Sequence, residues 1–351
     1  MRKLLILVMA LLVLMTIPAV CPAADELSIF IWSEYMDEEK MPADFEKKFG
    51  IKVRLDVFEN NEEMVAKLQA GGVSQYDIIV PSDYIIPILV QQKLIQPLDH
   101  SKIPNLKNLF PRFTQTENDP GNKWSVPWQW GTVGLMYRKD KLTEDQVKSW
   151  AILFDPKQSP GSFWLIDSVR EMLGISLLYQ GYKFNSDNPE ELKQAADLLA
   201  ATKKRPECMG FKAGVGGKND VVAGTAVAAI VYNGDAIQSV VDDPEKLAFT
   251  IPKEGSEIWV DSMCIPAKAP NVDAALKWIN WILEPEVGAD LSNYNMYASP
   301  NQASIPFITP EDLKNPGIYP PEEVMKTLHF SKDLGDNNKL IDAAWTRAKS
   351  R

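Results

Sequence analysis

The sequence predicts a protein of the α/β class that is built from two lobes. Patterns typical of strands and helices alternate through residues 27–91, and a second alternating series begins near residue 132. No low-complexity linker separates the two series. The length of 351 residues fits about two domains at roughly 150 residues each. Because no linker is visible, we expect the chain to cross between the lobes more than once.

The first series starts with an apolar strand at residues 27–31. In the helix that follows, Met41, Phe45 and Phe49 share one face, and Gly50 ends the helix. The remaining elements of this series are, in order, a half-buried strand at 51–57 with alternating polarity, a helix capped by Asn60 or Asn61 that runs to Leu68, a buried strand at 76–80, and a helix that opens at 82–84. This order favours a largely parallel sheet, whose ligands lie outside the carboxyl ends of the strands.

The second series has the same character. Its predicted elements are a strand at 161–166, helices at 167–179 and 190–203, a strand at 227–232 that turns into a helix at 233–235, a strand at 259–265, helices at 274–283 and 285–294, and a closing helix at 340–349. The two series therefore predict two α/β units of similar size.

Residues 1–24 have the layout of a secretory signal peptide. A basic start precedes an apolar run at residues 4–15, which is too short to span a bilayer, and small residues follow up to Ala24. Lipid attachment at Cys21 is the alternative, although Val20 fits poorly before a lipid-modified cysteine. Secretion would place the chain outside the cytoplasm, where Cys208 and Cys264 either pair or stay as free thiols.

Composition excludes several functions. The net charge of −10 repels nucleic-acid phosphates. The chain has only two histidines, His100 and His329, which argues against His-based metal sites and most Ser–His or Cys–His catalysis. Catalytic and nucleotide motifs are absent, and the glycine-rich segment 214–219 departs from a phosphate-binding loop, so we interpret it as a flexible surface loop.

Aromatic and acidic residues gather at the ends of predicted strands. Aromatic rings attract ammonium groups and pack on methylenes, and carboxylates pair with the positive charge. The pattern therefore predicts a site for an aliphatic cation rather than a metal, because a Ca²⁺ loop needs a denser cluster of oxygen ligands. These residues are Trp32, Tyr35, Tyr84, Tyr232, Trp259 and Tyr297, with Glu34, Asp83, Asp235 and Asp261 beside them.

An ordered series of short segments resembles the periplasmic polyamine-binding proteins of ABC importers, and the resemblance spans residues 27–351. The segments are 32–35 (Trp-Ser-Glu-Tyr), 45–53, 76–82 (Tyr-Asp-Ile-Ile-Val-Pro-Ser), 130–132 (Trp-Gly-Thr), 232–236 (Tyr-Asn-Gly-Asp-Ala), 259–262 (Trp-Val-Asp-Ser), 315–321 and 344–346. The last two resemble the putrescine-specific branch most closely.

The resemblance implies the type II periplasmic binding protein fold, in which each of two lobes is a mostly parallel sheet flanked by helices and the ligand cleft lies between the lobes. Residues 25–131 and 260–304 would form lobe one, and residues 132–259 and 305–351 would form lobe two. The ligand-binding residues implied by matched positions are Trp32, Ser33, Tyr35, Ser82, Glu171, Tyr232, Asp235, Trp259, Asp261 and Tyr297.

Two departures from the family bear on the ligand. Spermidine-type members carry an acid where this chain has Ser168, and a Gln near Ser331 and Lys332. The neighbouring Asp167 lies about 100° away around a helix. With one acid fewer, the resemblance favours putrescine over spermidine. If Lys332 points into the cleft, a zwitterion such as 4-aminobutyrate is the alternative.

The resemblance also implies a monomer that delivers its ligand to the permease subunits of an ABC transporter, with no cofactor and no catalysis. Two other hypotheses stay open. A secreted enzyme on the same scaffold would need a nucleophile and a base, and none is visible. An iron-binding relative would use paired tyrosines such as Tyr294 and Tyr297, but the surrounding tryptophans suit an organic cation better.

Overall fold

The computed structural model describes residues 26–350. These residues form eleven strands and thirteen α-helices, joined by loops and short 3₁₀ turns. The strands are β1 (Glu26–Trp32), β2 (Lys52–Phe58), β3 (Ile78–Ile79), β4 (Ile95–Gln96), β5 (Ser125–Arg138), β6 (Phe163–Ile166), β7 (Cys208–Lys212), β8 (Ala228–Tyr232), β9 (Leu247–Thr250), β10 (Ser256–Pro266) and β11 (Leu328–His329). The helices are α1 (Lys40–Phe49), α2 (Asn61–Gln69), α3 (Ile86–Gln91), α4 (Ala151–Phe154), α5 (Val169–Tyr179), α6 (Pro189–Lys203), α7 (Gly216–Ala223), α8 (Asn233–Asp242), α9 (Val272–Ile282), α10 (Pro285–Asn295), α11 (Pro310–Lys314), α12 (Glu322–Met325) and α13 (Asn338–Ser350).

The main path of the sheet runs β2-β1-β3-β10-β5-β8-β6-β7. The outer strands pair in parallel on both sides, β1 with β2 and β3, and β6 with β7 and β8. The central strands β5 and β10 pair antiparallel with each other and with their neighbours on this path, and the start of β10 also pairs in parallel with β11. The molecule thus has two α/β halves, each with parallel outer strands, joined through one antiparallel pair of long strands.

The long strands β5 and β10 pass from one half to the other. The first part of β5 pairs with β10, and its last part, from Val133, pairs with β8 and β9. Every residue of β10 is buried, because this strand is covered by both halves. Gly131 allows β5 to approach closely, since a Cβ atom there would lie 2.4 Å from the Trp259 ring. The two long strands are therefore in close contact at Gly131 and Trp259.

Most predicted elements are confirmed, and the differences have physical causes. The predicted strand 76–80 is shortened to Ile78–Ile79, since Pro81 ends it, although the backbone N–H groups of Asp77 and Val80 still donate to β1. Strand β5 begins at Ser125, before the predicted start of the second series. The sheet is mixed because its two crossing strands run antiparallel to their neighbours on the main path, β3 and β8.

The remaining predictions concern the cysteines and the N-terminal segment. Cys208 and Cys264 are free thiols on β7 and β10. The predicted signal peptide, residues 1–24, and the alternative lipid site at Cys21 lie outside the described residues. Within the described part of the chain, no helix has the length and apolar character needed to cross a bilayer.

Candidate functional site

A cavity lies where the two halves meet along β10. Its volume is about 610 Å³, counted with the open solvent at its mouth. All ten residues predicted from the sequence line this cavity, and five others join them. The lining residues are Trp32, Ser33, Tyr35, Glu59, Ser82, Tyr84, Glu171, Gly214, Val215, Tyr232, Asp235, Glu257, Trp259, Asp261 and Tyr297.

The first half holds its lining residues through Asn61, at the start of α2. The Asn61 side chain accepts a hydrogen bond from the Ser82 backbone N–H at 3.2 Å and donates one to the Tyr84 hydroxyl at 3.1 Å. The backbone of Ser82 also forms an isolated bridge with Asp261. These bonds fix the loop after β3 against β10, so that Ser82 and Asp261 reach the cavity together.

A buried pair of amides orients two tyrosines. Gln129 and Asn295 exchange side-chain hydrogen bonds of 2.8 and 2.6 Å. The Asn295 amide also donates to the Tyr35 carbonyl at 2.9 Å, and its oxygen accepts from the Tyr297 backbone N–H at 3.3 Å. Because a buried amide needs all its partners, this network holds Tyr35 and Tyr297 in one arrangement.

The aromatic side chains form a continuous wall around Trp259. Its ring lies 5.1 Å from Tyr297 and 6.0 Å from Tyr232, in edge-to-face geometry, and 6.3 Å from Tyr35 between centroids. Such pairs are typical of rigid aromatic clusters. The wall offers ring faces and edges to a ligand, a surface that suits methylenes and ammonium groups.

Four buried carboxyl groups face the same space: Glu171, Asp235, Glu257 and Asp261. Glu171 and Asp235 lie in the first turns of α5 and α8, where a helix stabilises negative charge. Glu171 accepts hydrogen bonds from the Tyr232 hydroxyl at 3.1 Å and from the Ser168 hydroxyl. None of the ion pairs in residues 26–350 involves any of the four.

Burial makes negative charge unfavourable at this site. It raises the pKa of Asp261 to about 7 and that of Asp235 to about 6. Burial, followed by the charge of Glu171, raises the pKa of Glu257 well above its usual value. A cation that enters the cavity would stabilise these buried carboxylates strongly, because no cationic side chain of the protein forms an ion pair with them.

The two halves also touch at the rim of the cavity. The Lys218 ammonium of α7 lies 3.0 Å from the Glu34 carboxylate, which follows β1. Close by, the backbone of Gly214 passes the Glu59 carboxylate with a φ of 54°, a left-handed conformation that favours glycine. The Lys218–Glu34 pair therefore bridges the halves beside the cavity.

Three sequence-based interpretations change. Segment 214–219 is not a flexible surface loop, because Gly214 and Val215 line the cavity and α7 begins at Gly216. Asp83 lies outside the cavity, where it accepts a hydrogen bond from the Asn118 amide at 3.0 Å. Lys332 points away from the cavity and pairs with Glu117 at 2.7 Å, so it does not support a zwitterionic ligand.

Sequence reasoning missed Glu59, Gly214, Val215 and Glu257, and it named Tyr84 only as part of the aromatic pattern. Glu257 carried a usable signal, since it precedes Trp259 and Asp261 by two and four residues on one strand, which places all three on one face. No group of three or more His, Cys, Asp or Glu residues within residues 26–350 is arranged to hold a metal ion.

Two α/β halves joined by crossing strands, with a buried polar cavity between them, define a two-lobe solute-binding protein. Comparison with known proteins gives the family: the profile of bacterial extracellular solute-binding proteins matches residues 40–321. The chain belongs to this family and is a binding protein, not an enzyme. It has the type II periplasmic binding protein fold, with the ligand cleft between its lobes.

Three relatives are similar over nearly the whole chain. The putrescine-binding periplasmic protein SpuD of Pseudomonas aeruginosa is 35% identical over 95% of this chain and 95% of its own length. The spermidine/putrescine-binding periplasmic protein of Salmonella typhimurium is 31% identical, over 93% and 92%. The solved structure of the spermidine/putrescine ABC transporter substrate-binding protein PotD from Streptococcus pneumoniae is 31% identical, with a TM-score of 0.76 over 93% of this chain and 100% of that one.

Proposed function

We propose that this protein captures a linear polyamine between its lobes and delivers it to the permease of an ABC transporter. The observation that supports this most directly is one cavity that combines an aromatic wall with four buried carboxyl groups, none of which forms an ion pair within residues 26–350. Carboxylates would pair with ammonium groups, and the rings would pack on the methylenes between them. Relatives named for putrescine and for spermidine share this scaffold.

The ten residues predicted from the sequence would form the ligand site. Trp32, Ser33, Tyr35, Ser82 and Tyr297 would contact the ligand from lobe one, and Glu171, Tyr232, Asp235 and Trp259 from lobe two, with Asp261 just past the crossing. The division into residues 25–131 plus 260–304 and residues 132–259 plus 305–351 fits the crossing of β5 and β10. A solute-binding protein of this kind would work as a periplasmic monomer, exported by its signal peptide.

Polyamine binding should stabilise the fold strongly. A ligand that binds only the native state adds RT ln(1 + [L]/Kd), which is roughly 4 kcal/mol at a thousandfold excess over Kd. We expect putrescine or spermidine to raise the melting temperature by several degrees in differential scanning fluorimetry. 4-Aminobutyrate is the control, because its carboxylate would face the carboxyl groups of the cavity. If no di- or triamine shifts the melting temperature at millimolar concentration, the polyamine proposal is wrong.

Ligand binding should also draw the lobes together, because the site takes residues from both. We expect a smaller radius of gyration in small-angle scattering when the ligand saturates the protein. Lys218→Met removes the ion pair with Glu34 across the rim. Since Glu34 is more than half exposed, the pair is weak, and a loss of affinity of about two- to fivefold is expected.

Lys212→Met is the matched control for this substitution. Lys212 pairs with Asp220 within one lobe, so its removal should leave the affinity and the ligand-induced compaction unchanged. Removal of either lysine makes the protein more negative, which favours a cationic ligand, so a loss of affinity in Lys218→Met alone would come from the contact between lobes. Identical scattering profiles with and without ligand would contradict the closing motion.

A further inference from the structure

Glu257 is one of the lining residues that the sequence did not predict, and its position on β10 places it in the cavity. Side chains alternate along a strand, so Glu257, Trp259 and Asp261 point to the same face. At about 3.3 Å per residue, the Cα atoms of Glu257 and Asp261 are about 13 Å apart. The Trp259 ring stands between them, so β10 presents a carboxyl group on each side of an aromatic ring.

The Glu257 carboxyl group is buried and only half satisfied. Its side chain is 1% exposed, and Oε1 accepts a hydrogen bond from the buried Ser331 hydroxyl. Oε2 has no hydrogen-bond partner among residues 26–350. A buried carboxylate oxygen without a partner is costly, which indicates that a ligand donor belongs there.

The charge of Arg170 acts on Glu257, but none of the hydrogen bonds or ion pairs in residues 26–350 joins the two side chains. Arg170, on α5, donates to the Lys332 carbonyl at 3.2 Å and to the Asn338 side chain at 2.6 Å. Its guanidinium also lies over the Tyr84 ring, 5.4 Å from the centroid. Because these partners hold the Arg170 guanidinium, the Oε2 atom of Glu257 stays available to a ligand in the cavity.

Glu257 lies at the same end of the cavity as Glu171. The Tyr232 hydroxyl donates a hydrogen bond to Glu171. After burial, the charges of Glu171 and Glu257 raise the pKa of Tyr232 further. Asp235 follows Gly234, where a Cβ atom would lie 2.6 Å from the Tyr297 ring, and the charges of Lys218 and Glu34 at the rim act on Asp235. The four carboxyl groups are therefore spread along the cavity, with Glu171 and Glu257 at one end and Asp235 at the other.

We propose that Glu257 is a specificity-determining residue that binds the terminal ammonium of a long polyamine of the spermidine type, at the end of the cavity that a four-carbon diamine leaves unfilled. This inference rests on the proposed polyamine function. Ser168 removes one acid of the spermidine-type pattern, and Glu257 supplies another from a different element. The cavity therefore holds enough carboxyl groups for the three ammonium groups of a triamine, and the ammonium at Glu257 would compensate the charge that burial disfavours there.

The test is a titration of three ligands by calorimetry: putrescine, spermidine and 1,8-diaminooctane. The last has the length of spermidine but only two charges. We expect wild type to prefer spermidine over putrescine by tenfold or more. Glu257→Gln, which keeps the shape of the side chain, should weaken spermidine and 1,8-diaminooctane by tenfold or more and putrescine by less than threefold.

Two further variants control this result. Glu257→Asp keeps the charge and should retain most of the preference for spermidine. Asp83→Asn removes a buried carboxyl group outside the cavity that acts on Glu257 and Asp261 only through its charge, so it should change the ratio of the ligands by much less than Glu257→Gln does. Thermal melts of each variant verify that the fold is intact.

The outcomes separate this inference from the proposed function. If the three amines bind to wild type but Glu257→Gln weakens all of them equally, or weakens none, Glu257 does not select ligand length and the inference is wrong. A wild type that prefers putrescine by tenfold overturns it as well. If no amine binds to wild type, the polyamine function itself fails, and the inference fails with it.

Discussion

Asp261→Asn should weaken polyamine binding by about a hundredfold or more and should also stabilise the ligand-free protein. The loss follows because removing one partner of a buried charge pair costs about 3–5 kcal/mol. The gain follows because burial raises the pKa of Asp261 to about 7, against about 3.9 in an unfolded chain. Above pH 7, the native state therefore carries a charge that the cavity disfavours, at a cost of roughly 4 kcal/mol from about three pKa units.

The measurement combines calorimetry with thermal melts at pH 8, without and with ligand. We expect Asp261→Asn to melt several degrees higher than wild type without ligand and to gain little when ligand is added. Asp83→Asn is the matched control, since burial also raises the pKa of Asp83 to about 7 but its side chain lies outside the cavity. This control should gain stability and change its affinity by only a few-fold, because Asp83 acts on Asp261 only through its charge. A fall in affinity of less than fivefold in Asp261→Asn would mean that Asp261 does not contact the ligand.

The two results have one cause. Five of the buried polar atoms without a hydrogen-bond partner in residues 26–350 belong to residues that line the cavity: Trp32 Nε1, Tyr35 OH, Glu257 Oε2, Trp259 Nε1 and Asp261 Oδ1. Native interiors satisfy nearly all such groups. The cavity therefore holds polar groups at a cost to stability, and a ligand that satisfies them gains affinity by the same amount.

The elements of this fold could be predicted because their signals are local. Gly50 has the left-handed conformation, with φ of 70°, that ends a helix. Asn60 accepts a hydrogen bond from the Glu63 backbone N–H as a helix cap. The way in which β5 and β10 join the lobes could not be predicted, because antiparallel pairing between segments more than a hundred residues apart leaves no local pattern.

The site shows the same limit. Trp259 and Asp261 were recognisable because they belong to a segment that resembles a family. Glu257 belongs to the same strand face, but its role depends on Ser331, a residue 74 positions later in the chain that reaches its carboxyl group. Lys332 differs from Glu257, since the sequence suggested that it lies in the cleft and the structure places it outside. Its place beside Ser331 in the sequence suggested the cleft, yet its ammonium turns outward to Glu117.

Polyamine affinity should fall steeply as the pH drops from 8 to 5. A carboxyl group pairs with an ammonium only in its charged form, and burial raises the pKa of Asp261 to about 7 and of Asp235 to about 6. At pH 5, neutral Asp261 reduces the affinity by about a hundredfold and neutral Asp235 by about tenfold, or about a thousandfold together. The amines do not contribute to this change, because alkyl ammonium groups titrate near pH 10.

Binding near pH 6 should therefore release protons from the cavity. Calorimetry in two buffers of different ionisation enthalpy, at each pH, gives both the affinity and the number of protons released. In Asp261→Asn, the hundredfold part of the pH dependence should disappear and fewer protons should leave. An affinity that stays constant between pH 5 and 8 would show that these carboxyl groups are already charged without ligand, and that burial does not set their pKa values.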